Sequence, residues 1–255
     1  KNGEKVKHTY YQNGQIDTEA SYKDGEWDGK VTKWHENGQK QHEQQYKNGK
    51  AYGNKTWWNE DGQIESEENY RNGLKLRETW FHYYPSGQLE KEMNYREDGY
   101  TKDGKQTYWY EDGQIEREYN YKNGRQQDTT AWNEIGQKTT VHYYLNNSLN
   151  KAIRWKYYEN GQAKEEAHLD MTSVNPVYIY LIRWHENGQK SQEVNYKDGK
   201  KDGKWTWWHE NGQKREERNY KDDKKHGKGT AWYENGQIKY EGNYKDDKSV
   251  GKVTM

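Results

Sequence analysis

A glutamate recurs five residues after a Gly-Gln dipeptide, as Glu19, Glu43, Glu67, Glu92, Glu118, Glu166, Glu193, Glu217 and Glu241. Positioned carboxylates do general acid–base work, and pairs of them cleave glycosidic bonds. The spacing argues against that chemistry here. If each copy sits on its own two-stranded repeat, neighbouring carboxylates stand about 10 Å apart, slightly beyond the ~9.5 Å that an inverting pair spans. Cross-strand ion pairing suits such a row better. Histidine shares one repeat position at His35, His185 and His209, but zinc needs ligands ~2.0 to 2.1 Å from one ion, and successive repeats are too far apart for that. The glycine-rich turns lack the Gly-x-x-x-x-Gly-Lys-Ser/Thr run that leads into a helix and cradles phosphate. No catalytic residue, metal site or cofactor is assigned, and a non-enzymatic protein is expected.

The elements that hold these residues follow from the same marker. Its glycines are Gly14, Gly38, Gly62, Gly87, Gly113, Gly136, Gly161, Gly188, Gly212 and Gly236, a fixed period that signals a repeat architecture. Four residues before each lies an aromatic residue, from Tyr10 and Trp34 through Trp208 and Trp232; eight residues after each lies a Tyr, with Leu169 the one substitute. Two runs rich in Trp, Tyr, Thr and charge flank Glu-Asn-Gly or a relative of it, which is hairpin chemistry. Asp24-Gly25, Asn48-Gly49, Asn123-Gly124 and Asp198-Gly199 read as the return turns between hairpins. The expected fold is all-β: an elongated, single-layer antiparallel meander of about ten hairpins. The whole of residues 1–255 reads as one repeat domain with 23–27-residue units.

Turn length decides which side chains share a face, because a slip of one residue moves them all. A three-residue Glu-Asn-Gly turn with a left-handed Gly places Trp208, Thr206, Lys214 and Tyr220 together, and likewise Trp58, Thr56, Ile64 and Tyr70. That gives one aromatic face. Glu217, with Gln213 and His209, then faces the other way, as do Trp57, Trp205 and Trp207, on the face assigned to solvent, where these rings either stack on sugars or bases or cover that face against their strand neighbours.

Composition sets the remaining bounds. Only 28% of residues are apolar, too few for a thick two-layer core and low enough to raise disorder. The 13 Trp and 25 Tyr argue for order, since each such ring hides about 150–250 Å² when buried. Lys plus Arg and Asp plus Glu both number 42, so the broad basic field on which nucleic-acid affinity rests is missing. There is no Cys, and no run approaches the ~20 apolar residues of a membrane helix. The chain opens on Lys1 and stops just after a new strand begins, so a processed or partial chain is expected.

The repeat weakens twice. Arg96 to Lys105 is an insertion expected to widen one turn. Across 143–182 the inter-unit glycines vanish, Asn146-Asn147-Ser148 and Met171 to Pro176 replace the usual turns, and Val177 to Ile182 is the most apolar run. Pro176 should precede or begin a strand. Repeat decay repaired by packing is one reading of this stretch, and a partner-docking patch is the other.

Tyr240-Glu-Gly-Asn-Tyr244, preceded by Gly227-Lys-Gly229 and Tyr233-Glu-Asn-Gly-Gln237, resembles the MORN repeat, and the Gly-Gln form is similar to the MORN-variant repeats of bacteria. The resemblance runs from about Tyr10 to Gly251. It implies a bacterial scaffold for protein contacts, in the periplasm, at the cell surface or in the cytoplasm. Antitoxin or immunity components and phospholipid contact are among the roles suggested for such proteins. The irregular stretch and the loss of several family glycines depart from the pattern. Trp155-Lys-Tyr-Tyr158 and Tyr143-Tyr-Leu-Asn146 resemble choline- or glucan-binding repeats more weakly.

The candidate partner-binding residues are Tyr178, Tyr180, Trp57, Trp205 and Trp207, since aromatic side chains are enriched at binding hot spots. The expected partner is another protein, met by an antitoxin-type neutraliser or an envelope-assembly component. Carbohydrate bound on exposed aromatic rows is the alternative, and end-to-end self-association through terminal strand edges is a further possibility.

Overall fold

The computed structural model describes residues 3–254, the last three by backbone alone. Two compact units divide the chain, one holding 1–127 and 134–136 and the other 128–133 and 137–255. The first carries β1 (Glu4–Tyr10), β2 (Ile16–Lys23), β3 (Glu26–Trp34), β4 (Lys40–Lys47) and β5 (Lys50–Trp58). It continues with β6 (Ile64–Arg71), β7 (Leu74–Tyr83), β8 (Leu89–Arg96), β9 (Lys102–Trp109) and β10 (Ile115–Lys122). After β11 (Arg125–Trp132), in which the division falls, come β12 (Lys138–Leu145), β13 (Ser148–Tyr157), β14 (Ala163–Asp170), β15 (Val177–Trp184) and β16 (Lys190–Lys197). The second unit ends with β17 (Lys200–Trp208), β18 (Lys214–Lys221), β19 (Lys224–Trp232), β20 (Ile238–Lys245) and β21 (Lys248–Thr254). Within each unit every strand pairs antiparallel with its neighbours in sequence, giving a single-layer meander of the expected kind. The ten Gly-Gln hairpins account for β1–β20, and β21 stands beyond them.

The hairpin turn has the predicted chemistry. His209 N–H donates to Gln213 O (2.8 Å) and Gly212 N–H to His209 O (3.0 Å), so Glu210, Asn211 and Gly212 form a three-residue loop. Gly212 takes φ +81°, a left-handed conformation that costs glycine nothing. Asn211 Oδ1 accepts the Gln213 N–H at 3.0 Å and locks the loop. Except after β8 and β14, return turns are two-residue loops with both central residues at positive φ, as at Asp198 (50°) and Gly199 (76°). That geometry suits the twist of a hairpin. Asn146-Asn147 and Asp222-Asp223 adopt it without glycine, as Asn and Asp tolerate this region best among the other residues.

The predicted face assignment is overturned. Trp208 lies opposite Lys214, but Trp207 lies opposite Glu216, which leaves Arg215 as an unpaired bulge residue. The same bulge follows the turn in all ten hairpins, from Asp17 to Lys239. One extra residue reverses the register below it. Tyr220 therefore shares a face with Trp205 and Trp207, whereas Glu217 lies opposite Thr206 on the other face. The first unit repeats this: Tyr70 and Trp57 both bond Glu68, while Glu67 lies opposite Thr56. The two recurrent aromatic sets occupy opposite faces, here termed the tyrosine face and the glutamate face.

Packing follows from this split. On the tyrosine face of the second unit, Ala167, Leu181, Val194 and Trp205 form a buried cluster, with Tyr196, Trp207 and Tyr220 against it. In the first unit the same stripe includes Gln44, whose Nε2 donates to the Gln45 and Tyr52 carbonyls, and Gln106, whose Nε2 donates to Asn94 O. Pairing lets such amides be buried; Gln106 is paired through both amide atoms, whereas Gln44 Oε1 has no partner.

The Gly-Gln marker has a structural cause. Each Gln side chain lies against the next repeat's glycine, so a Cβ on Gly212 would meet Gln189 Oε1 at 2.7 Å. At the same end His185 Nε2 lies 3.1 Å from Trp208 O, and Asn187 Nδ2 donates to Glu210 O at 2.7 Å. The recurrent histidines thus tie one repeat's backbone to the next.

Candidate partner-binding surface

Five of the nine recurrent glutamates, Glu43, Glu118, Glu193, Glu217 and Glu241, are held by lysines. Lys204 Nζ lies 3.2 Å and Lys214 Nζ 2.7 Å from the Glu217 carboxylate, and Lys30–Glu43, Lys105–Glu118 and Lys228–Glu241 repeat the first of these pairs. Burial pushes the Glu217 carboxyl up, but hydrogen bonds from Lys214 and Lys204 outweigh it and hold it below its usual value. On the same face Lys190 lies over the Trp208 ring and Lys214 over Trp232.

The five predicted binding residues do not form one site. Trp205 is only 5% exposed; its Nε1–H donates to Asn195 O at 2.8 Å. Trp207 is half-buried beside it, the rings 5.7 Å apart. Trp57, in the other unit, packs on His42 at 4.6 Å beneath Lys55. These three tryptophans thus cover their face against strand neighbours, the packing alternative of the two, and the bulge brings the recurrent Tyr to that same face. Tyr178 and Tyr180 are separated by a second bulge at Ile179, since His168 pairs with Tyr180 and Leu169 with Tyr178. Tyr178 packs on Tyr196 at 5.7 Å on the tyrosine face, whereas the Tyr180 hydroxyl donates to Glu193 at 2.8 Å on the glutamate face. Burial first, and then Glu193, push the Tyr180 hydroxyl well above its ordinary pKa.

What stays open lies at the return turns. Four return turns place lysines opposite each other there, Lys47 and Lys50, Lys197 and Lys200, Lys221 and Lys224, and Lys245 and Lys248, while Lys23 faces Glu26 and Arg71 faces the exposed Leu74. Around β12–β15 those lysines are gone. Leu145 (63% exposed) pairs with Ser148, and the Met171 to Pro176 loop carries Val174 (99%) just before Tyr178 (40%) and Ile179. Pro176 immediately precedes β15, as its missing N–H requires. Sequence reasoning reached Tyr178 and missed Leu145 and Val174, although their signal was legible as lysine loss at a repeat position.

The MORN repeat variant model matches residues 9–24, 27–48, 51–72, 79–97, 102–123, 181–198, 201–222 and 225–246, well over half of the chain. The chain belongs to the MORN repeat variant family. As a MORN-variant protein it is a repeat scaffold, and the stretch from 124 to 180, which includes most of the irregular segment, lies outside the matched repeats. No curated protein matches it. Among solved structures, the crystal structures of TcdB2-TccC3-Cdc42 and TcdB2-TccC3 align with TM-scores of 0.30 at 11% identity, over 94% of this chain and 14% and 15% of theirs. A Photorhabdus luminescens Tc holotoxin pore aligns at TM-score 0.23 and 12% identity, over 95% of this chain and 16% of that one. The MORN-variant chain thus spans a small part of those proteins, and likeness at this level carries no argument about role.

Proposed function

We propose that this MORN-variant chain is a non-enzymatic scaffold that docks another protein through the apolar return-turn edge of Leu145, Val174, Tyr178 and Ile179. The observation that carries the reading is the exchange, at this edge, of paired lysines for exposed apolar side chains. Exposed apolar groups gathered within a polar surround mark interaction sites. The next return turn keeps Lys197 and Lys200, so the fitting partner offers an apolar segment with acidic neighbours. A bacterial neutraliser of a small toxin and an envelope-assembly component both meet this description, and the partner's identity decides between them.

Sugar stacking is less well supported. Lys201 lies over both Trp205 and Tyr220, and Lys225 over Tyr244, so ring faces that a glycan needs are covered.

The test compares the intact chain, a Val174→Asp/Tyr178→Ser variant and a Tyr180→Phe control as baits in lysate and envelope fractions, with eluates identified by mass spectrometry and a glycan array in parallel. A protein captured by the intact chain and by Tyr180→Phe but lost with the double variant is the expected result. Equal capture by all three removes this edge from consideration, and a silent pull-down with a positive array replaces the reading with sugar binding.

A further inference from the structure

In the first unit an acid closes two of the four regular return turns. Asp28 Oδ2 accepts the Asn48 N–H at 3.1 Å and Asp103 Oδ1 the Asn123 N–H at 2.7 Å. Register places these acids, and Asp202 likewise, beside Lys47, Lys122 and Lys221, one step beyond the Gly29–Tyr46, Gly104–Tyr121 and Gly203–Tyr220 pairs. The rung thus joins opposite charges. The β7–β8 hairpin reverses it, because Glu78 pairs with Tyr95 and the next rung sets Arg77 directly opposite Arg96. Like charges facing each other across a ladder are destabilising.

The fold does not need this arginine. The inserted turn caps itself, with Asp98 Oδ1 accepting the N–H groups of Tyr100 and Thr101 at 2.9 and 2.7 Å. Among the described residues Arg77 has no hydrogen-bond or ion-pair partner. Arg96 donates to both carboxylate oxygens of the exposed Glu97, from Nε at 3.4 Å and Nη2 at 3.3 Å, and from Nη1 to Asn123 Oδ1 at 3.2 Å, all long contacts. Both arginines line an open hollow with Asn94, Lys105 and Asn123. Lys105 is shared with Glu118 at 2.8 Å, and Asp103, which also lines the hollow, is engaged by the Asn123 N–H.

We infer that Arg77 and Arg96 form an oxyanion site that takes a phosphate-class dianion, either free phosphate or a phosphomonoester. Two guanidinium forks offer paired N–H donors and two positive charges, which match a tetrahedral dianion better than a single carboxylate. Binding would relieve the Arg77–Arg96 repulsion and displace Glu97. The site is independent of the protein-docking edge and stands or falls separately.

The experiment titrates the full chain with inorganic phosphate, phenyl phosphate and acetate at constant ionic strength, by calorimetry and ³¹P line broadening. Saturable phosphate binding is expected, weakened about tenfold by Arg77→Gln, as loss of a charged hydrogen-bonding partner implies, and strengthened by Glu97→Gln. Arg77→Asp recreates the acid–base rung of the Asp28, Asp103 and Asp202 repeats, so it should raise the melting temperature in phosphate-free buffer while abolishing binding. Tighter binding of phenyl phosphate identifies a monoester as the ligand, and equal binding identifies free phosphate. No saturable phosphate binding, acetate binding of equal strength, or an unaffected Arg77→Gln overturns the inference.

Discussion

Gln213 holds its Oε1 at 2.6 Å from the point that a Cβ on Gly236 would occupy, one repeat further along the chain. Gly236 also has φ +82°, so a side chain there meets both backbone strain and a neighbour. Gly236→Ala should cost about 1–2 kcal/mol from the left-handed backbone alone, with a further increment from the clash. Adding Gln213→Ala should recover only that increment. Chemical denaturation of the two single variants and the double variant separates the contributions as a coupling energy.

Trp205 is the largest member of the buried cluster on the tyrosine face. Trp205→Ala should lower stability by about 3–5 kcal/mol, as for other large-to-small core changes. Trp205→Phe keeps much of the packing but removes the donor to Asn195 O, for about 1–3 kcal/mol. Denaturation followed by circular dichroism should order the proteins as wild type, Phe, then Ala.

His42 sets a pH dependence for the first unit. Burial, then Lys55 and Lys33, lower its imidazole from 6.5 to about 4 in the fold. Between those values the unfolded chain binds the proton that the folded chain refuses, so stability rises with pH. The contribution is complete above about pH 6.5 and is lost as pH falls toward 4. Its Nδ1 has no partner and its ring packs on Trp57 at 4.6 Å. His42→Phe should therefore preserve stability at pH 7 and flatten this window in melting curves recorded from pH 7 to 4.

Glu165 separates a protected ion pair from an exposed one. Its side chain is 10% exposed and accepts from Lys156 at 2.7 Å and Arg183 at 2.8 Å. Burial raises its carboxyl, but those two cations overcome it and hold the group below the usual range. Glu165→Gln should cost more than Glu217→Gln, which acts in a more open pair and should cost about 0.2–1 kcal/mol. The Glu217 effect should shrink in high salt. Equal losses for the two variants at every salt concentration would contradict the difference.

Reading the sequence recovered what is local. The left-handed Gly212, the Asp198-Gly199 return turn and the strand beginning after Pro176 each follow from the conformational limits of one or two residues. The bulge at Arg215 escaped notice because no residue type marks it: the ten positions include Asp17, Thr139, Lys164, Ser191 and Arg215. That single unpaired residue carried Tyr220 to the face of Trp205 and divided the aromatic side chains between two faces. The Ile179 bulge likewise separated Tyr178 from Tyr180. The reversed rung at Arg77 and Arg96 was present in the sequence, but only the register brought the two arginines together.

The contact between each Gln and the following Gly points one way along the chain. Every repeat offers a side chain to its successor and a bare backbone to its predecessor, so the units have a head and a tail. Removing or adding one whole period joins a head to a tail again and leaves each face where it was. Removing half a period joins unlike ends and turns the downstream side chains over. Selection can lengthen or shorten such an array in whole words, whereas a change of a few letters inside a strand must be absorbed at a turn.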